Sequence, residues 1–297
     1  GECLSLTNRP GNFRSSDGAA EQLDPVLPRL KECFETVLVR GDSDFDRADI
    51  RRVCEEHGAY FAFVGREHPK GGRAQQAMML EEDQWIPFQA RGSRLAEQRR
   101  RASGCRPRRR KHNRRRSRAR ERGYKELRQV NQWVSEVPYY PADSDETYRL
   151  VIRRQLVEHR KGQVHLFDQY RYHYIVTDLP LSMSTAEVVD ETYQRCDQEN
   201  LIEQLGSGLA AWRMPVAEFY GNCAWLEIAR LAWNMAKWIA QIALPEETLR
   251  WEWKRFRHAF VYVAAEVVKT GRRVCTRLSG SHRFAATILK AQHRLRE

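Results

Sequence analysis

Two short apolar runs, Thr36–Val37–Leu38–Val39–Arg40 and Ala59–Tyr60–Phe61–Ala62–Phe63–Val64, decide the fold class. Runs of that length with little polar alternation suit strands covered on both faces of a sheet. Between them, Asp46 to His57 carries Ile50, Val53 and Cys54 at helical core spacing, and Gly58 stops the helix. Strand, helix, strand at this spacing is a βαβ unit with a parallel strand pair, which makes the class α/β.

Upstream, Glu2 to Thr7 reads as a strand, Asn8–Arg9–Pro10–Gly11–Asn12 as a turn, and Gly18 to Phe34 as a helix. Downstream, a polar region runs from Gly65 to about Asp145. Strands are expected at Tyr148 to Val157, Val164 to Phe167 and Tyr170 to Val176, two of them paired across His159–Gly162. Ser184 or Thr185 caps a long helix reaching about Leu205. Asn222 to Ala243 is a second helix, with Trp225, Ile228, Ala229, Ala232, Met235, Ala236 and Ile239 in helical register. Six of the eight tryptophans follow Ala211 and read as core. Phe260 to Arg277 reads as a hairpin turning at Thr270–Gly271, before a final basic helix. The expected organisation is a core segment 1–64, a β-rich insertion 65–181, core helices 182–243 and a C-terminal region 244–297.

Charge divides the chain unevenly. Its 297 residues carry a formal net charge of +12. Residues 91–123 alone hold 15 Arg and 1 Lys against Glu97 and Glu121, a local balance of +14, so the remainder is near neutral. Blocks such as Arg108–Arg109–Arg110–Lys111 and Arg114–Arg115–Arg116 repel one another. They either contact phosphates, releasing counterions, or form a solvated loop that tolerates charge. No aromatic side chains interleave them, so they carry no sequence readout. Seven scattered cysteines, none spaced as CxxC, suit a reducing compartment and argue against a zinc finger. No apolar run reaches membrane-spanning length, and the first residues lack signal-peptide character. A soluble, intracellular protein is expected.

Two acidic segments can carry chemistry. Asp42, in Val39–Arg40–Gly41–Asp42–Ser43–Asp44–Phe45, stands at the carboxyl end of the first strand, where ligands of open α/β sheets collect. It is either a ligand for a hard divalent cation or a loop residue that caps the following helix, a role for which Asp44 and Asp46 are better placed. Glu199 lies in Arg195–Cys196–Asp197–Gln198–Glu199–Asn200–Leu201–Ile202–Glu203–Gln204–Leu205. Helical periodicity puts Arg195, Glu199 and Glu203 on one face and Leu201, Ile202, Leu205 and Leu209 on the other. Glu199 is either a presented functional carboxylate or half of an i,i+4 surface ion pair with Arg195.

Together these segments resemble the bacterial DDE-type insertion-sequence transposases of the "insertion sequence 1380" group. Leu209–Ala210–Ala211–Trp212–Arg213–Met214–Pro215, the Asn8–Asn12 turn and Thr270–Gly271–Arg272–Arg273 share in the likeness, which covers nearly the whole chain. The resemblance implies an RNase H-like α/β catalytic core with a β-rich, strongly basic insertion and a helical C-terminal part. It implies catalytic, metal-holding carboxylates at Asp42 and Glu199, supported by Arg195 and Glu203, and two Mg²⁺ or Mn²⁺ ions that cut and join DNA strands. It further implies DNA contact through Arg108, Arg109, Arg110, Lys111, Arg114, Arg115, Arg116 and Arg213, oligomers on transposon-end and target DNA, and a bacterial cytoplasmic, nucleoid-associated setting. Three departures accompany it. The family's first catalytic aspartate has no counterpart in this chain, which starts at Gly1, so an N-terminally truncated, catalytically impaired enzyme is expected. Gly206 stands where the family signature has lysine, and Tyr193 stands one residue too close to Arg195. The rival readings are a non-catalytic basic nucleic-acid-binding protein and an RNase H-like nuclease.

Overall fold

The computed structural model describes residues 1–65, 72–91, 127–159, 169–194 and 196–296. Strand β1 (Leu38–Gly41), helix α3 (Ala48–Glu56) and strand β2 (Tyr60–Gly65) form the expected crossover. β1 and β2 pair in parallel, with Leu38 opposite Tyr60 and Gly41 opposite Phe63. Ile50 and Cys54 of α3 are fully buried against Phe61 and Phe63, and Gly58 closes the helix at φ +61°. A left-handed residue in that position is least strained as glycine.

The chain divides into two units, Arg14–Arg195 and Gly1–Phe13 with Cys196–Glu297. In the first, α1 (Ala19–Leu23) and α2 (Leu27–Cys33) precede β1, and α4 (Gly72–Met78), β3 (Ile86–Pro87), β4 (Leu127–Tyr139), β5 (Tyr148–His159), β6 (Gln169–Thr177) and α5 (Thr185–Tyr193) follow β2. Among the described residues the strands make one mixed sheet of order β1-β2-β6-β5-β4-β3. Only β1 and β2 run parallel; β6, β5, β4 and β3 join antiparallel. Alternate side chains serve two cores. Phe61, Phe63, Leu150, Ile152 and Val176 face Leu27, Ile50 and Cys54, while Ala62, Val134, Val151 and Ile175 face Val188 and Val189 of α5. This unit is therefore helix, sheet, helix in section.

Several expected elements differ. The helix expected over Gly18 to Phe34 is α1 and α2, because Pro25 falls between them and Pro28 fits only the first turn of α2. β1 is half-buried rather than covered on both faces, since it forms the sheet edge. β4 lies in the stretch expected to be polar and irregular. Trp133, Ser135, Val137 and Tyr139 alternate with Val134, Glu136 and Pro138 along it, and Pro138 fits because β3 covers β4 only at Val134 and Trp133. Val164–Phe167 lies outside the described residues.

One ion-pair network ties the crossover to the rest of the sheet. Arg51 of α3, buried to 2% exposure, donates to Asp46 and Asp143, and its guanidinium lies over the Tyr148 ring. Asp46 also accepts from Arg73, which donates in turn to the Tyr139 hydroxyl. The buried Asp46 carboxylate thus stands between two guanidinium groups.

In the second unit α6 (Cys196–Glu203) runs into a π-helical turn at Gln204–Gly208. It is followed by α7 (Phe219–Ile242), α8 (Trp253–Phe256), the hairpin β7 (Ala265–Thr270) and β8 (Arg273–Leu278), and α9 (Ala285–Arg294). The hairpin turns at Gly271, φ +58°, close to the expected Thr270–Gly271. Glu2 to Thr7 is not a strand. Asn234 of α7 accepts from the Cys3 N–H and donates to the Cys3 carbonyl, and Trp233 donates to the Gly1 carbonyl. These side chains satisfy the backbone groups a strand neighbour would have taken. Trp233 and Trp251 are buried and Trp225 and Trp253 half-buried, as expected of core, whereas Trp212 and Trp238 are exposed.

At the amino-terminal end of β2, opposite the Asp42 end of β1, a cleft of about 680 Å³ opens among Glu55, Glu136, Tyr148, Arg149, Asp178 and Leu181. Burial pushes the Asp178 carboxyl up to about 6; its acceptance of the Phe61 N–H opposes that shift, and the nearby Glu55 adds to it. The folded chain therefore binds this proton more tightly than the unfolded chain. Its stability contribution grows as pH falls through 6 towards the unfolded value, and the charge is a cost above pH 6. Asp178→Asn keeps an acceptor for Phe61 and should raise the urea midpoint at pH 7.5, with a smaller gain at pH 4.5. Equal effects at both pH values would contradict this.

Candidate functional site

Asp42 directly follows Gly41, the last residue of β1. Its Oδ1 accepts the Asp44 N–H at 3.0 Å and its carbonyl accepts the Phe45 N–H at 3.1 Å. This is an Asx turn, in which the side chain fixes the loop that displays it. The turn folds Phe45 back over the strand end. A Cβ on Gly41 would lie 2.6 Å from Phe45 Cβ and 3.0 Å from Phe63 Cδ1, so only glycine fits there.

The neighbouring acids have other duties. Asp44 accepts from Ser15 Oγ at 2.8 Å, and Asp46 is held by Arg51 and Arg73. Neither caps α3, whose N-cap is Arg47 with no side-chain cap, which corrects the expectation for Asp44 and Asp46. Arg47 spans Asp17 and Asp49, and its guanidinium holds both carboxyls below their ordinary values, with opposing desolvation the first influence at Asp49 and a backbone hydrogen bond from Arg14 the first at Asp17. Among the described residues no ion pair claims Asp42. Of the three loop aspartates, Asp46 is the one bound by arginines.

Glu199 sits on α6 and is exposed, as is Glu203. The long helix expected from Ser184 to Leu205 is two helices. Ser184 does cap the first: its Oγ accepts the Glu187 N–H, and Glu187 accepts the Ser184 N–H in return. That helix ends at Tyr193, and α6 begins at Cys196. Leu205 is buried and Leu201 half-buried, but Ile202 is 48% exposed, so the apolar face of α6 is narrower than expected. Gln204 anchors the end of the helix by accepting the Trp253 N–H at 2.9 Å. Gly206, at the family's lysine position, lies beneath Trp212: a Cβ there would come 2.1 Å from Trp212 Nε1. Any side chain at 206 displaces that ring, a physical reason for the departure. Asp42 belongs to one unit and Glu199 to the other.

Arg213 is exposed, as are Arg272 and Arg273 on the hairpin. Arg195, and Arg108, Arg109, Arg110, Lys111, Arg114, Arg115 and Arg116, lie outside the described residues. Among the described residues no group of three or more His, Cys, Asp or Glu stands close enough to hold a metal ion. The donor chemistry of Asp42 and Glu199, carboxylate oxygen alone, nevertheless suits a hard divalent cation. Sequence reasoning passed over the Arg51–Asp46–Arg73 network and Asp178. Asp46 reads as a helix-cap candidate and Arg51, Arg73 and Asp178 carry no local signal; only the tertiary arrangement brings them together.

A family model described as "Transposase DDE domain group 1" matches residues 91–297, well over half of the chain, and the chain belongs to that family. The matched span contains Glu199 and its helix; Asp42 lies before it. No curated protein matches the chain. Among the described residues no helix is long and apolar enough to cross a membrane.

The different duties of the loop aspartates predict different costs. Asp46→Asn should destabilise the fold by about 1–3 kcal/mol, because it removes a charged hydrogen-bond acceptor shared by Arg73 and Arg51, of which Arg51 keeps Asp143. Asp42→Asn, which keeps the turn acceptor, should change stability by less than about 1 kcal/mol. Urea unfolding of both variants checks this.

Proposed function

We propose that the chain is the catalytic part of a DDE transposase of the insertion sequence 1380 group. On this reading it has an RNase H-like core and acts on DNA at the ends of a mobile element, in the bacterial cytoplasm. The observation that carries the reading is the family match across the Glu199 helix, together with an aspartate held in an Asx turn at the end of β1 that no ion pair among the described residues engages. Asp42 and Glu199 would hold the divalent cations, Mg²⁺ or Mn²⁺, with Arg195 and Glu203 as supporting residues. When bound, such ions would activate a water or a 3′-hydroxyl and stabilise the leaving oxygen.

The protein's own part is positional. The Asx turn holds Asp42 at one orientation. Gly41 allows Phe45 to close the loop behind it, and Gln204 fixes the end of the helix bearing Glu199. A site preorganised in this way does not have to reorder its ligands during reaction. The cationic tract, with Arg213, would hold the DNA backbone without reading its sequence.

Direct binding of Mn²⁺, followed by its paramagnetic resonance signal, tests the site. The parent chain should bind, and Asp42→Asn and Glu199→Gln should each weaken binding at least about tenfold, roughly the loss of one charged ligand. Equal binding by parent and both variants would overturn the catalytic reading in favour of a non-catalytic DNA binder. A second experiment concerns the tract. Replacing Arg108, Arg109, Arg110, Arg114, Arg115 and Arg116 by Ala should weaken duplex binding for every sequence and lower the slope of log K against log salt by up to about 5. An unchanged slope would remove the tract from the interface.

A further inference from the structure

Helix α7, 24 residues and about 36 Å long, is apolar on two opposite sides. One side, Leu226, Ala229, Trp233, Ala236 and Ala240, is buried within its own unit. The other side carries Ile228, Leu231, Met235, Trp238 and Ile242, each between 41% and 63% exposed. Their spacing is 3, 4, 3, 4. This is the heptad seam that matches a second helix; a broader stripe would suit a sheet. A helix apolar on both sides is stable in water only when both sides are covered.

We propose that this seam pairs with the same seam of a second copy, forming an antiparallel two-helix interface about a two-fold axis at Trp233. Three observations favour a second copy. First, the seam is self-complementary. In antiparallel register Ile228 meets Trp238, Leu231 meets Met235 and Ala224 meets Ile242, and every layer is repeated by symmetry. Parallel register would instead stack Trp238 on Trp238. Secondly, the charges on α7 do not oppose pairing. Glu227 is bound to Arg230, and Lys237 donates to the Leu249 carbonyl at 2.9 Å and lies over Trp233. In the antiparallel arrangement Glu227 flanks Gln241, so no like charges meet. Thirdly, the area suffices. With Tyr220, which is also exposed, the seam presents roughly 100 Å² per side chain, on the order of 600 Å². That is the upper end of what a monomer exposes and approaches the about 800 Å² a side of a stable interface.

The pairing uses neither the carboxylates nor the cationic tract, so its test runs without DNA or metal and is independent of the function proposed above. Sedimentation equilibrium of the full chain should show a dimer at micromolar concentration. Leu231→Glu with Met235→Glu should raise the dissociation constant at least about a hundredfold, since each buried seam would then hold unpaired charges, while helical circular dichroism stays unchanged. Mixing a Leu231→Cys chain with a Met235→Cys chain, with Cys33, Cys105, Cys196, Cys223 and Cys275 replaced by Ser, should give more cross-linked heterodimer than either homodimer on treatment with a short thiol cross-linker. A wild-type monomer throughout the range, or a dimer that survives the double Glu variant, overturns the proposal. Preferential homodimer cross-linking overturns the antiparallel register.

Discussion

The parallel pairing of β1 with β2 is the constraint from which the rest of the first unit follows. Parallel neighbours cannot be joined by a hairpin, so the chain must cross over, and α3 makes that crossing with Ile50 and Cys54 buried on the sheet. The crossover in turn requires the chain to leave β1 through a tight loop. Gly41 lets Phe45 fold back, Asp42 closes an Asx turn, and Asp46 anchors the loop through Arg51 and Arg73. Asp42 is thus displayed at the carboxyl end of the sheet as a direct consequence of how the strands pair. Asp46 takes the arginine contacts that anchor the loop, and among the described residues no ion pair engages Asp42.

That crossover is legible in the amino-acid sequence because each of its parts has a strong local signal: two unbroken apolar runs, a helical period between them and a glycine stop. The rest of the sheet is harder to read. β4 alternates large apolar with polar side chains, carries Pro138 and follows the most basic stretch of the chain, so its identity as a strand comes from its long pairing with β5. The break between Tyr193 and Cys196 is similarly hidden. No glycine or proline marks it between Ser184 and Leu205, and the Ser184 cap that starts the helix gives no information about its end.

The candidate site divides along the same line. Glu199 is legible from the sequence pattern of its helix, and the family match covers it; Asp42 is legible from its position after an apolar strand. Gly206 has a packing reason, the Trp212 ring above it, that no local signal reveals. The two-sided apolar character of α7 is visible in its sequence as a high density of large residues. Which side faces its own unit emerges only from the burial of Trp233 and the exposure of Ile228, Met235 and Trp238.

The central claim of the proposed function is that the strand-end aspartate and the helix glutamate are each ligands for a divalent cation. Iron-directed cleavage of the polypeptide measures this directly: Fe²⁺ replaces the native cation, and ascorbate with peroxide generates radicals that cut the backbone beside the bound ion. The account predicts cuts in both the 40–45 loop and the 196–203 helix, with the loop cuts lost in Asp42→Asn and the helix cuts lost in Glu199→Gln. Cuts at only one segment, or cuts that persist in both variants, would contradict it.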